Sequence, residues 1–442
     1  MTDPMPTDRS LRIAIDGYNF AMPKGTGVAT YGMTLARVLQ GMGHRVEGVF
    51  GLDVGQNPDT REVMFYDHLG RERQENKSQA RARVRRNKLQ AFRRPRLVDV
   101  PITNRVEKQA FKDRLPQFDR LWSAPYLFEA AHWHLHYFKS FLTIHMADPP
   151  DIMHWTYPIP ARMAGTKNIY TLHDLVPLRM PYATMDFKHL YHRLVRQCVM
   201  EGDRICTVSE ASKQDILDHF PVPEEKVFNT YQISPIPEEV LDSDPERDAQ
   251  MIDGLFGLKP KSYFLFFGAL DPKKNIGRII EAYLTSHSAS PLVIVGARDW
   301  GMAGEKSALG NGVQVYGHSV SGRIMQLDYM PRALLFRLIR TARAVLLPSL
   351  FEGFGLPALE AIQLGTPVIA SNTSSLPEVV GKAGLLVDPY SVSDIANAIE
   401  RLDRDEIIRE QLVAAGPEQT AKFSEDNYRD QLMALYSSTL GH

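Results

Sequence analysis

The chain has no apolar run approaching the ~18 residues that cross a bilayer, so no membrane-spanning helix is expected. Its opening MTDPMPTDRS is polar, with no apolar stretch behind a basic start, and is not expected to act as a secretory signal. Cysteine is scarce. Cys198 and Cys206 fall in segments that read as a helix and a buried strand, so two small core residues in a reducing cytoplasm are expected rather than a disulfide. Neither sign of charge prevails: 51 Lys and Arg stand against 52 Asp and Glu, a net charge of -1 that gives no global attraction to nucleic acid. The rest is ordinary for a globular chain, with 44% hydrophobic and 23% charged residues, and a length of 442 suits two or three domains, each with its own core.

What is present is a recurrent pattern of short apolar runs with helical stretches between them. RIAID (12–16), VEGVF (46–50), DIMHW (151–155), NIYTLHD (168–174), RICTVS (204–209) and KVFNTY (226–231) form one set. YFLFFG (263–268), LVIVG (292–296), VQVYG (313–317), AVLLPS (344–349), PVIAS (367–371) and GLLVD (384–388) form a second. Runs of this kind ending in Gly, Ser, Asp or Pro describe parallel strands buried on both faces, hence two α/β units. Between them ISPIPEEVLDSDPERDAQ (233–250) carries prolines and charge without an apolar period, and reads as a linker. Ligands of open parallel sheets sit beyond the carboxyl ends of the strands, so the expected site is a cleft between the units.

The densest chemistry follows the run at 344–349. In PSLFEGFGLPALE, Glu352 and Glu360 have seven residues between them, among them Gly353, Phe354, Gly355 and Leu356, with Pro357 where helices favour a start. A glycine loop entering a helix offers free backbone N–H groups and a positive dipole end to a phosphate, and a carboxylate in the first turn accepts from a ribose diol. Taken alone, Glu360 could instead complement the helix dipole while the glycines serve a turn. Lys273, Lys274 and Asn275 in FFGALDPKKN stand between a strand and a helix, as cations for a leaving diphosphate or as a solvated helix start capped by Asn275. His173 and Asp174 close a buried strand, where a histidine serves either the site or the packing. Gly25, Thr26 and Gly27 form a close-approach loop after the first strand, although this Gly-x-Gly lacks the third glycine of a dinucleotide fingerprint.

Two other clusters look like sites and lack the spacing for one. Asp242-Ser243-Asp244 is an Asp-x-Asp inside the linker. His132, His134 and His136 alternate beside Trp133 and Tyr137 without a Cys or carboxylate at zinc spacing. No metal site is expected.

Together these stretches resemble the retaining glycosyltransferases of family 4, which carry two Rossmann-like parallel-sheet domains facing a central cleft in the GT-B arrangement. The likeness rests on EGFGLPALEA, GTPVIASNTSSLPEVVGKAGLLVDP (365–389), GALDPKKN (268–275), YTLHDLVP (170–177) and VSEASKQDI (208–216). It implies residues 1–235 as an acceptor-side domain with a basic and aromatic insertion over about 60–145, then 236–258 as linker and 259–421 as the nucleotide-sugar domain. Residues 422–442 would form a helix crossing back to the first domain; FSEDNYRDQLMALYSSTL reads independently as amphipathic. By the resemblance Glu360 would hold the ribose and Glu352 the sugar hydroxyls, with the Gly353–Leu356 backbone near sugar and diphosphate. Lys274 would stabilise the departing diphosphate, His173 would meet the sugar near the reacting carbon, and Gly25 and Gly27 would line the cleft floor. The chain departs from the family at Ala269, where many members carry arginine, so Lys273 or Arg298 would supply the second cation. The implied activity is retaining hexosyl transfer without a metal or other cofactor, with mannose from GDP-mannose preferred, onto a surface-glycan or lipid-linked acceptor. A non-catalytic sugar-nucleotide binder or scaffold is the alternative.

One feature lies outside that pattern. Residues 71–96 hold many Lys and Arg against two Glu, and an aromatic stretch follows at 120–145. A peripheral contact of this cytoplasmic chain with an anionic membrane surface and a merely solvated insertion explain it equally, with nucleic-acid binding a distant third.

Overall fold

The computed structural model describes residues 10–22, 27–69, 77–103, 105–112, 114–184, 187–296, 323–327 and 330–441. Its strands in chain order are β1 Arg12–Asp16, β2 Arg45–Phe50, β3 Val98–Val100, β4 Arg120–Ser123, β5 Leu142–Ile144, β6 Ile152–Trp155, β7 Ala161–Met163 and β8 Lys167–Thr171. They continue with β9 Arg204–Thr207, β10 Val227–Asn229, β11 Phe264–Phe267, β12 Leu292–Val295, β13 Ile324–Leu327, β14 Ala344–Leu347, β15 Val368–Ser371 and β16 Gly384–Val387. Among the described residues the first sheet runs β10-β9-β8-β6-β1-β2-β4-β3 and the second β13-β12-β11-β14-β15-β16, while β5 and β7 pair separately. Every pairing in the two large sheets is parallel except β3 with β4. The central strands are wholly apolar because helices cover both faces: β11 is Phe-Leu-Phe-Phe and β12 Leu-Val-Ile-Val, all buried.

Three expectations need correction. The segment taken as linker holds two helices, Glu238–Leu241 and Pro245–Phe256. The second starts at Pro245 behind Asp244, whose carboxylate accepts from Glu246 N, and it is anchored by Asp248, paired at 2.9 Å with Arg337 and 3.0 Å with Arg340. Ile252 joins the buried cluster and Phe256 packs against it, so apolar contact and charge hold the helix together. The supposed insertion over 60–145 contributes β3 and β4 to the first sheet, and Trp122 is buried there with Nε1 donating to Glu47 at 2.7 Å. Finally, Glu360 lies in the second turn of its helix, Leu356–Gln363, and not in the first. The run VQVYG at 313–317 lies outside the described residues, and β13 arises where no strand was expected.

The C-terminal helix Glu425–Leu440 packs on the first sheet. Tyr428, Leu432, Leu435 and Tyr436 share a buried cluster with Tyr31, Leu35 and Leu39 of the helix Gly27–Gly41. Polar contacts fix its position: Tyr436 Oη lies 2.8 Å from His154 Nδ1, and Arg204 donates to the Ser438 carbonyl at 2.9 Å. Buried apolar area supplies most of the adhesion, at about 25 cal/mol per Å².

Candidate functional site

The chain leaving β11 and the chain leaving β14 converge. After Phe267 a short turn, Pro272–Lys274, is closed by the Asp271 carboxylate accepting from Lys273 N at 2.8 Å. Asn275 then takes a left-handed φ of 63° and enters the helix Ile276–Thr285. It does not cap that helix with its side chain. Its amide donates instead to the carbonyls of Pro348, just past β14, and Pro389, just past β16, at 2.9 and 2.7 Å. The turn therefore stands where Lys274 Nζ reaches Glu352 Oε1 at 2.6 Å, with both side chains about nine-tenths buried. Burial alone would raise the Glu352 carboxyl, but the charges of Lys274 and Lys273 hold it below the ordinary range. Lys273 behaves in kind: burial would lower its ammonium, and Asp174, Glu352 and Asp271 raise it.

Glu352 begins a loop that only glycine can complete. A Cβ on Gly353 would sit 2.6 Å from the His173 carbonyl oxygen, so the loop touches the first sheet's chain directly. Gly355 has φ 106°, a left-handed backbone that disfavours side chains, and enters the helix Leu356–Gln363. Phe354 turns away into an aromatic cluster with Tyr231 and Phe423, so only its backbone lies along the loop. Ser374, itself at φ 54°, accepts from Glu352 N at 3.0 Å, and Ser375 donates to the Phe354 carbonyl at 2.7 Å.

The first sheet answers from β8 and β9. His173 follows β8, and its Nε2 lies 2.9 Å from the Thr156 carbonyl, which only accepts. Nε2 therefore carries the proton and Nδ1 is left as an acceptor. Thr156 is held in turn by Asp16, which accepts from its N–H and its hydroxyl. Burial lowers the His173 pKa, so the ring is neutral at pH 7. Following β9, Ser209 donates to the Gly353 carbonyl and Ser212 to the His173 carbonyl, each at 2.7 Å. Glu378 of the second unit accepts from Glu210 N and Ala211 N at 3.1 and 3.0 Å, at the start of the helix Glu210–His219.

Glu360 stands on the next turn of its helix. Its Oε1 accepts from Ser234 at 2.7 Å and from Arg332 at 3.1 Å, and burial still raises its pKa against both partners. Sequence reasoning missed Arg332 and Ser234, which carry no motif of their own; Glu378 stood only inside GTPVIASNTSSLPEVVGKAGLLVDP, and Ser209 and Ser212 only inside VSEASKQDI. The structure brings Glu352, Lys274, Lys273, His173 and Gly353 near one another, while Gly27 opens the helix Gly27–Gly41. Gly25, Thr26 and Arg298 lie outside the described residues.

The Asp-x-Asp turns out to be a helix start, with Asp244 capping and Ser243 donating to Asp248. His132 and His134 each spend Nδ1 on a backbone carbonyl, of Phe128 and Ala91. Among the described residues no three His, Cys, Asp or Glu side chains gather as metal ligands.

This arrangement places two ammonium groups, an ionised carboxylate, a neutral imidazole and a glycine loop at the seam of two parallel sheets. Residues 255–419 match the family described as glycosyl transferases group 1, and residues 26–229 match a glycosyl transferase 4-like domain. The O-antigen chain mannosyltransferase B of Escherichia coli is 32% identical over 277 residues, covering 61% of this chain and 69% of that protein. The serotype-specific mannosyltransferase WbdA of Escherichia coli is 29% identical over 280 residues, 61% of this chain and only 33% of WbdA. The fold matches that of Anabaena HepE solved with UDP and glucose, with a TM-score of 0.61 at 15% identity over 97% of this chain and 100% of the other. The two sheets are thus those of the GT-B glycosyltransferase fold, and the chain belongs to the group 1 glycosyltransferases with a family 4-like amino-terminal half.

Proposed function

We propose that the chain transfers mannose from GDP-mannose to a surface-glycan or lipid-linked saccharide, with retention of anomeric configuration and without a metal. The buried Lys274–Glu352 pair, 2.6 Å across and set beside the contact of Gly353 with His173, carries this reading. A scaffold gains little from it, because a buried ion pair is weak evidence for stability and a packed apolar pair would serve as well. The mannosyltransferase relatives support the choice of sugar.

In the proposed reaction the bond from the anomeric carbon to the diphosphate oxygen breaks as the acceptor hydroxyl forms its bond on the same face. The acceptor proton passes to the departing diphosphate, so the products are a glycoside and a nucleoside diphosphate. Lys274 and Lys273 neutralise the charge that grows on the leaving group, the task a divalent cation would otherwise perform. Glu352 accepts from sugar hydroxyls through the oxygen that Lys274 leaves open, and His173 accepts a further hydroxyl at Nδ1. Glu360 takes the ribose diol through Oε2, since Oε1 is already engaged.

The test is calorimetric titration of a panel of nucleotide sugars against the wild type and Glu360→Ala, with slow donor hydrolysis followed alongside. One donor should bind and hydrolyse, and the variant should lose at least about 1.5 kcal/mol of binding, the worth of a hydrogen bond to a charged group. If no nucleotide sugar binds, the scaffold reading replaces this one.

A further inference from the structure

The structure gathers part of the basic and aromatic stretch into one patch. Residues 77–97 hold nine Lys or Arg and no Asp or Glu. Most of that run is the helix Lys77–Gln90, which lies against the helix Leu127–Phe138. Where the two meet, large apolar side chains face solvent: Leu89 is 60% exposed, Phe92 64%, Tyr137 40% and Phe138 46%. They form a single surface. Phe92 touches Tyr137 and Phe138 with ring centroids 5.6 and 5.1 Å apart, and Trp133 stacks on Tyr137 at 5.8 Å.

Cations border the aromatics. Lys88 sits 4.5 Å over the Trp133 ring, and Arg85, Arg93, Arg94 and Lys139 are exposed nearby in the chain. A solvated face explains the charge but not the phenylalanines, which lose free energy in water. Trp122, by contrast, is buried in the first sheet and takes no part.

We propose that this patch, Leu89, Phe92, Trp133, Tyr137 and Phe138 within Arg85, Lys88, Arg93, Arg94 and Lys139, docks the enzyme on an anionic lipid bilayer. Lys and Arg meet the headgroup phosphates while Trp and Tyr settle at the polar boundary and the phenylalanines enter the acyl region. The match of an unbroken positive field with a negative surface selects the bilayer over an ordinary protein partner, whose interface cores are depleted of charge. A geometric consequence follows. The helix Leu127–Phe138 starts beside Tyr18, which follows β1 at its cleft end, and finishes in the patch. Its 12 residues span roughly 18 Å, which sets the distance between the Tyr18 end of the helix and the patch.

Co-sedimentation of the full chain with vesicles tests the proposal. The protein should pellet with phosphatidylcholine vesicles containing about 30% phosphatidylglycerol and stay in solution with phosphatidylcholine alone, and about 0.5 M salt should weaken the binding. Arg93→Glu/Arg94→Glu should bind anionic vesicles at least about tenfold more weakly. Phe92→Ser/Phe138→Ser should lose the fraction that survives high salt. Both variants should keep wild-type donor hydrolysis, which separates this proposal from the transfer reading. Equal binding to neutral and anionic vesicles, wild-type binding by the charge-reversed variant, or tighter binding to short duplex DNA than to vesicles would overturn it.

Discussion

Lys274 and Glu352 are worth more to each other than to the fold. Removing one partner of a buried pair leaves an uncompensated charge at a cost of about 3–5 kcal/mol. Lys273 remains beside Glu352, so Lys274→Ala is expected near the lower figure, read as a fall in urea midpoint at unchanged slope. The same variant should lose glycosyl transfer, whereas a purely structural lysine would leave the turnover of the folded fraction intact. The pH dependence has a definite sign. The Glu352 carboxyl is lowered on folding, so its contribution is full above its unfolded value and disappears as pH falls through the folded one. Lys274→Ala should flatten that acid limb.

Gly353 makes a second prediction at this scale. A Cβ there would press on the His173 carbonyl at 2.6 Å, so Gly353→Ala must push the loop off the first sheet. The expected result is a fall of about a hundredfold in kcat, the usual effect of a displacement near 1 Å, with a smaller loss of stability. The glycines and both glutamates were legible in the sequence because they lie within nine residues of chain. Arg332 and Ser234 were not. Ser234 reaches Glu360 across 126 residues, and only tertiary pairing makes it a neighbour.

Elements hold the two units against each other with few groups. Glu378 caps the helix Glu210–His219 from the opposite unit, while Ser209 and Ser212 tie Gly353 to His173. Losing such a cap costs about 1 kcal/mol, and here the cost falls on the contact between the two units. Glu378→Ala should therefore raise the donor KM severalfold at nearly unchanged melting temperature, measured by steady-state hydrolysis and thermal denaturation. Buried parallel strands were legible as continuous apolar runs, RIAID and FLFF among them. The strands β3 and β4 were not: β4 spans four residues, and its Trp122 resembles an interfacial aromatic until its bond to Glu47 is seen. The helix Pro245–Phe256 escaped for another reason, since its few apolar anchors, Ile252 and Phe256, follow a run of prolines and charges, and Arg337 and Arg340 hold it further through Asp248.

Across the whole molecule, the last helix belongs to the first sheet although the chain reaches it from the second. Tyr436 Oη meets His154, whose other ring nitrogen lies 2.8 Å from Thr171 Oγ1, and that hydroxyl lies 3.2 Å from Tyr31 Oη. Tyr31 in turn sets its ring edge-on to His173 at 4.9 Å. A buried polar chain thus joins the C-terminal helix to the site. Tyr436→Phe should cost about 1–2 kcal/mol, because His154 keeps a buried nitrogen without its partner, and chemical denaturation measures it. The amphipathic stripe of this helix was legible in the sequence; its partners His154 and Arg204 were not, since they lie in strands read only for burial.

The proposed reaction at the seam between the two sheets keeps the configuration of the transferred hexose and uses lysines in place of a metal. Proton NMR of the product formed from the donor that the panel selects, in buffer containing excess EDTA, tests it most directly. Transfer at an undiminished rate and an anomeric signal of the same configuration as the donor are expected. A product of inverted configuration, or transfer that stops with EDTA and returns with a divalent cation, would contradict it.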